Sequence, residues 1–236
     1  MRSLTGDFFA RIFPDFWDTI DPTDLVEDDH SMFGDPEVFR FLVNAISPQT
    51  IIEIGSWKGH SANFMADLCK ANGLKTRIVC VDTFLGGPEH WLLPGQIETL
   101  YRKNGFPTII NRFLGNTIAR GNQGSIFPLT INSSSAAGIL KFFNQKADLI
   151  FVDGAHEFND VKSDIELYFP LLTQRGVMFG DDYQYEPLAN AVHHCAEKLG
   201  VQVAVSARKW VYVTESLPEL PADYVIRTSF AGWIHP

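Results

Sequence analysis

Thr50-Ile51-Ile52-Glu53-Ile54-Gly55-Ser56-Trp57-Lys58-Gly59-His60-Ser61 decides how the rest of this chain is read. Five residues dominated by β-branched side chains run into a glycine turn, and the turn runs into a segment with helical spacing. A strand buried on both faces and feeding a helix reads this way. Gly55 would permit a tight turn where a Cβ would collide with a ligand, and Gly59 would let the helix start approach that ligand. The spacing is not GxGxxG, because Trp57 takes the place of a phosphate-loop glycine. A pyrophosphate site is therefore disfavoured and a ligand without phosphates preferred. Glu53, just before the turn, is placed to accept the ammonium group of an amino acid. Ser61, at the helix start, is placed to hold its carboxylate.

Working outward, the same alternation repeats. Short apolar runs fall at Arg77–Val81, Ile126–Ile131, Asp148–Val152 and Gly176–Phe179. Between and around them lie helical patterns at Glu37–Ile46, Ser61–Ala71, Ser134–Phe143, Phe158–Leu172 and Pro187–Leu199. Asp35-Pro36 opens the first of these, Asp as N-cap and Pro at the first helical position. Val201–Val205 and Lys209–Thr214 flank Ser206–Arg208 as a hairpin would. The expected fold is α/β and Rossmann-like: a mostly parallel sheet ending in a C-terminal antiparallel hairpin, with helices on both faces. One domain, 1–236, carries an aromatic N-terminal extension (1–34) and a long insertion (83–125) that suits a lid or substrate region. Gln96–Asn104 reads as a helical piece within that insertion. The extension, with Phe8, Phe9, Phe13, Phe16 and Trp17, is expected to pack on the domain, cover the site or join a homodimer interface.

Composition narrows the partners. With 236 residues, 45% of them hydrophobic, the chain can bury one substantial core. A net charge of −9 repels phosphate backbones, so nucleic acid is not expected as a partner. Three scattered cysteines, Cys69, Cys80 and Cys195, make neither a zinc motif nor a disulfide framework. No run is apolar enough to span a bilayer, and the first residues lack a signal-peptide core, so a soluble, cytoplasmic protein is expected, with no membrane partner.

Chemistry-bearing residues fall at strand ends. Asp82 closes the second strand, where a carboxylate can take both hydroxyls of a ribose. Asn132, Ser133 and Ser134 follow the third, within reach of an adenine edge. The fourth strand runs into Asp153-Gly154-Ala155-His156 and the fifth into Gly180-Asp181-Asp182. On neighbouring strands, Asp153, Asp181 and Asp182 would converge and raise one another's pKa unless a cation neutralised them; hard oxygen ligands suit Mg²⁺ or Mn²⁺. Such a metal would lower the pKa of a bound hydroxyl, and His156 is the expected general base. Each residue also has a structural reading alone: Asp82 capping a loop, Asp153 ending a strand, Asp181 or Asp182 capping the next helix, His156 bonding backbone. Asp160 and Asp164 are expected to be solvated helix charges, and His193-His194 structural. His90-Trp91 offers a face for a sugar ring, or simply packs its loop.

Two signatures carry a family resemblance. EIGSWKGHS resembles the first motif of class I S-adenosylmethionine-dependent methyltransferases, and VDTFLGG the second; the likeness covers about Thr50 to Thr214. The resemblance implies the cofactor turn at Gly55 and Gly59 and ribose binding at Asp82. DGAHxFxxVxxDIxxxxPLL followed by GDDY resembles metal-dependent O-methyltransferases of sugars and natural products, of the macrocin kind, and more distantly catechol O-methyltransferase. That likeness implies S-adenosylmethionine as cofactor, with Asp153 beside it, Mg²⁺ on Asp153, Asp181 and Asp182, His156 as base, and a small-molecule hydroxyl acceptor. A nicotinamide-dependent oxidoreductase on the same topology, or a non-catalytic cofactor-binding module, is the competing expectation.

Overall fold

The computed structural model describes residues 6–28 and 34–230. The remaining residues of the N-terminal extension, 1–5 and 29–33, lie outside that description. Eight strands form one sheet in the order β3-β2-β1-β4-β5-β7-β6-β8. These are β1 Thr50–Ile54, β2 Arg77–Val81, β3 Ile126–Leu129, β4 Ala147–Val152, β5 Leu172–Gly180, β6 Gln202–Ser206, β7 Lys209–Val213 and β8 Val225–Arg227. The first five pair in parallel and the last three antiparallel. This is the Rossmann-like sheet the alternation predicts. β8, which the sequence reading did not anticipate, adds an edge beside β6.

The two-residue period of the strands sorts side chains onto two cores. Ile52, Ile54, Val79, Val81, Ile150 and Val152 enter one cluster. It is closed by α6 (Ser133–Phe142), α7 (Phe158–Tyr168) and α8 (Glu186–Leu199). Ile51, Ile78, Cys80, Leu149 and Phe151 enter the other, closed by α2 (Pro36–Ile46), α3 (His60–Ala71) and α5 (Ile109–Ala119). No helix among the described residues is long and apolar enough to cross a membrane.

Three departures from the sequence reading have local causes. Asp35 is not a side-chain cap: it sits in left-handed backbone, φ 53°, and its Oδ2 lies 3.4 Å from the Arg208 amide nitrogen. The 83–125 insertion is only partly a loop, because α5 is a core helix that buries Ile109 and Phe113 in the second cluster, Phe113 against Phe84. Its sequence, IINRFLGNTIA, is rich in poor helix formers, which hid it; tertiary packing supplies what propensity does not. The expected helix at Gln96–Asn104 shrinks to one 3₁₀ turn, Ile97–Leu100. Ahead of α5, α4 (Pro88–Leu92) forms a short helix at the mouth of the sheet.

The described part of the extension packs on the domain. Phe8, Phe9 and Phe13 are buried, Phe9 and Phe13 against Phe127 of β3 and Phe8 against Phe143. Trp17 Nε1 donates to the Ile126 carbonyl at 2.9 Å, occupying the edge of β3.

Candidate active site

The site lies at the carboxyl ends of β1, β2, β4 and β5, the crevice where doubly wound sheets bind ligands. Gly55 turns at φ +83°, and a Cβ there would meet the backbone of Asp153 and Gly154. Gly59 caps α3 at φ +77°, and a Cβ there would come 2.7 Å from the Phe113 ring. The protein's own packing thus requires both glycines, a steric reason beside the one expected from a ligand.

Asp82 fastens this turn. Its Oδ2 accepts from the amides of Ser56 (2.9 Å) and Trp57 (2.8 Å), and its Oδ1 from that of Phe84 (2.6 Å). Trp57 is held in left-handed backbone, φ 46°, and stacks on His90 of α4 with centroids 4.3 Å apart. Trp91 beside it is half exposed, its Nε1 donating to the Leu85 carbonyl at 3.0 Å. The loop-packing reading therefore describes what Trp91 does in this structure.

Glu53 is fully buried at the end of β1. Ser61 Oγ donates to its Oε1 at 2.5 Å, while Oε2 has no hydrogen-bond partner, nor has the nearby Ser56 Oγ. Burial pushes the Glu53 carboxyl up to about 7. An orphaned acceptor inside the turn is what an incoming ammonium group needs. Ser133 follows β3, where the sequence places it. It begins α6 and bonds the side chain of Asp164, whose carboxyl burial raises to about 6; Tyr168 Oη donates to the Ser133 carbonyl at 2.8 Å. Asp164 is accordingly a buried residue and not a solvated charge. His193 is structural as expected, its Nε2 lying 2.7 Å from Tyr183 Oη.

The acidic tips are brought close, but not as a metal cage. Asp181 Oδ1 accepts from the Asp182 amide at 2.7 Å. Its Oδ2 accepts from Lys209 Nζ at 2.6 Å and lies 3.5 Å from an Arg208 nitrogen. Asp182, in left-handed backbone at φ 62°, has Oδ2 2.9 Å from His156 Nε2 and Oδ1 2.8 Å from Gln184 Nε2. Among the described residues Asp153 accepts no such bond. Burial and the charges of Asp181 and Asp182 raise its carboxyl well above the usual range. Among the described residues no group of three or more His, Cys, Asp or Glu is arranged to hold a metal ion. The expected Mg²⁺ or Mn²⁺ set of Asp153, Asp181 and Asp182 is not shown by this geometry, in which N–H donors engage both oxygens of Asp181 and of Asp182.

His156 is 43% exposed at the mouth of the site. Its hydrogen bond to Asp182 raises its pKa above 6.5 against the effect of burial, and Glu89 of α4 adds to the rise. α4 therefore faces His156 across the opening. Lys209 is the residue sequence reasoning missed; a lysine opening the apolar strand KWVYV was its only signal. A second buried network was also missed. Lys58 Nζ donates to Asp28 Oδ2 (2.7 Å) and to Tyr101 Oη (3.0 Å), tying the extension, the glycine turn and the insertion together.

Residues 52–183, more than half of the chain, match a family described as a methyltransferase domain. The chain belongs to that family, within the class I S-adenosylmethionine-dependent methyltransferases. An uncharacterized protein of Sinorhizobium fredii, y4gI, is 28% identical over 153 residues, 65% of this chain but 14% of that protein. The chain thus spans a small fraction of that relative's length. Among solved structures, the O-methyltransferase NovP is similar at a TM-score of 0.56 and 15% identity, over 78% of this chain and 82% of that one. CalS11, a calicheamicin methyltransferase, gives 0.55 and 17%, over 76% and 77%. TomG from Streptomyces achromogenes, an O-methyltransferase solved with S-adenosylmethionine, gives 0.52 and 14%, over 76% and 79%. At these identities the solved structures establish the shared fold.

Proposed function

We propose that this chain transfers the methyl group of S-adenosylmethionine to a hydroxyl of a small molecule, a sugar or a secondary metabolite, with His156 as general base. The observation that carries the reading is the His156–Asp182 pair, 2.9 Å apart, set among the strand tips beside the glycine turn. The cofactor, when bound, supplies a methyl group electrophilic enough that alignment of the nucleophile is the chief requirement.

The residues fit that cofactor. Glu53 Oε2, buried and without a partner, receives its ammonium group, while Ser61 holds the other oxygen of the same carboxylate in place. Asp82 retains lone pairs beyond its three backbone amides and offers them to the ribose hydroxyls. His156 donates its Nε2 proton to Asp182, which leaves Nδ1 to take the proton of the acceptor hydroxyl. Asp182 fixes the ring and the tautomer, as the carboxylate of a catalytic triad does. This mechanism uses no divalent metal, because the cations Lys209 and Arg208 already stand at Asp181 Oδ2, where a metal's charge would be needed.

The test is incubation with S-adenosylmethionine and a panel of sugar and phenolic hydroxyl acceptors, read by mass spectrometry as the gain of one methyl group. S-adenosylhomocysteine should raise the melting temperature of the apoprotein. Stabilisation by NAD and not by S-adenosylhomocysteine would sink the reading.

A further inference from the structure

The acidic tips of β4 and β5 bear a second conclusion, one that rests on the methyltransferase reading above. Lys209 opens β7, yet it is only 1% exposed, and its Nζ lies 5.1 Å from the Phe39 ring centre and 5.6 Å from that of Phe151. A lysine is tolerated at that depth only when its charge is matched, and Asp181 Oδ2 matches it at 2.6 Å. β7 reaches β5 antiparallel, with Gly180 paired to Trp210, so the pairing register itself delivers Lys209 to the end of the strand that carries Asp181. The neighbouring Arg208 places a second cation 3.5 Å from the same oxygen. On the other side His156 serves Asp182. Asp181 and Asp182 are thus balanced by side chains that the chain itself supplies.

We propose that Lys209 is a resident cation in this site, a positioning residue that takes the electrostatic place of a divalent metal, so that methyl transfer here proceeds without one. The Lys209 ammonium pairs with Asp181 Oδ2 and fixes that side chain, and Asp181 in turn holds the Asp182 amide, from which the His156 contact extends. Removing that ammonium would leave the acidic tips short of one positive charge and open to an outside cation.

Manganese binding tests the proposal without an acceptor. Free Mn²⁺ would be followed by electron paramagnetic resonance during titration of the intact, EDTA-dialysed protein. Wild type is expected to show no saturable binding at millimolar Mn²⁺. Lys209→Met is expected to bind Mn²⁺ at least about tenfold more tightly than wild type, as loss of one adjacent positive charge predicts, and to gain melting temperature from it. Lys209→Arg, which keeps the charge, should behave as wild type. One equivalent of Mn²⁺ bound by wild type at micromolar concentration would overturn the proposal, whatever the variants do. So would methyl transfer by wild type that EDTA abolishes and Mn²⁺ restores. Thermal stabilisation by S-adenosylhomocysteine, measured alongside, reports the methyltransferase reading independently: its loss would sink that reading without any change in Mn²⁺ binding.

Discussion

The two halves of the site neutralise their acidic residues by different means. Around the glycine turn, Asp82 is held by three backbone amides, two of them from the turn itself. Around β5, Asp181 and Asp182 are held chiefly by side chains, Lys209 and His156, that lie more than twenty residues away in sequence. Backbone donors come with the turn and survive most substitutions. Side-chain cations are single points of failure. The first half also keeps an unpartnered acceptor, Glu53 Oε2, whereas both oxygens of Asp181 and of Asp182 are engaged. One half is built to receive a ligand charge, and the other is already closed on its own.

That contrast can be broken by substitution. Gly55→Ala should do the most damage, because a Cβ there meets the Asp153 backbone at a positive φ. Strain and overpacking together should cost about 3–5 kcal/mol, read from the denaturant midpoint, and abolish S-adenosylhomocysteine binding. Lys209→Met should come next. Leaving buried Asp181 with only the more distant Arg208 as counter-charge should cost about 3 kcal/mol, and Lys209→Met combined with Asp181→Asn should recover much of it in a double-mutant cycle.

His156→Ala should separate activity from stability. The methyl-transfer rate should fall by about 10²–10⁴-fold. The unfolding free energy should move by less than about 1 kcal/mol, since the ring is nearly half exposed and its ion pair is screened by solvent. An unchanged rate would remove His156 as the base.

Glu53→Gln sharpens the cofactor half. A buried carboxyl raised to about 7 binds its proton more tightly when folded than when unfolded. Its contribution is therefore present below about pH 4.5 and lost as pH rises through 7, amounting to about 3 kcal/mol by linkage. Measured as the difference between wild type and Glu53→Gln, unfolding free energy should fall across that window; a flat difference would show that Glu53 is not the titrating group. The smallest effect expected is kinetic. A base must be neutral, so the rate should rise with pH through a pKa above 6.5, and Asp182→Asn should move that inflection downward.

Legibility followed sequence distance. β1, β2, β4 and the hairpin were readable because strand character is a local pattern of apolar residues, and Glu53, Asp82, Asp153 and Asp181 were found because they end such patterns. α5 was hidden by poor intrinsic propensity, and Asp164 by a helical position that looked solvated until α6 covered it. The metal expectation came from carboxylates at adjacent strand ends and from the likeness of DGAH and GDDY to metal-dependent O-methyltransferases, and neither included a lysine from a strand that returns antiparallel.

The sequence alone determined the alternation of the five parallel strands with their flanking helices, the C-terminal hairpin, the glycine turn, and which acidic residues stand at strand ends, since each depends on residues within a turn or a strand of one another. Only the tertiary structure decided which charges meet. Coulombic pairing acts through space, and the β5–β7 register, invisible in any local window, brings the ammonium of Lys209 to Asp181.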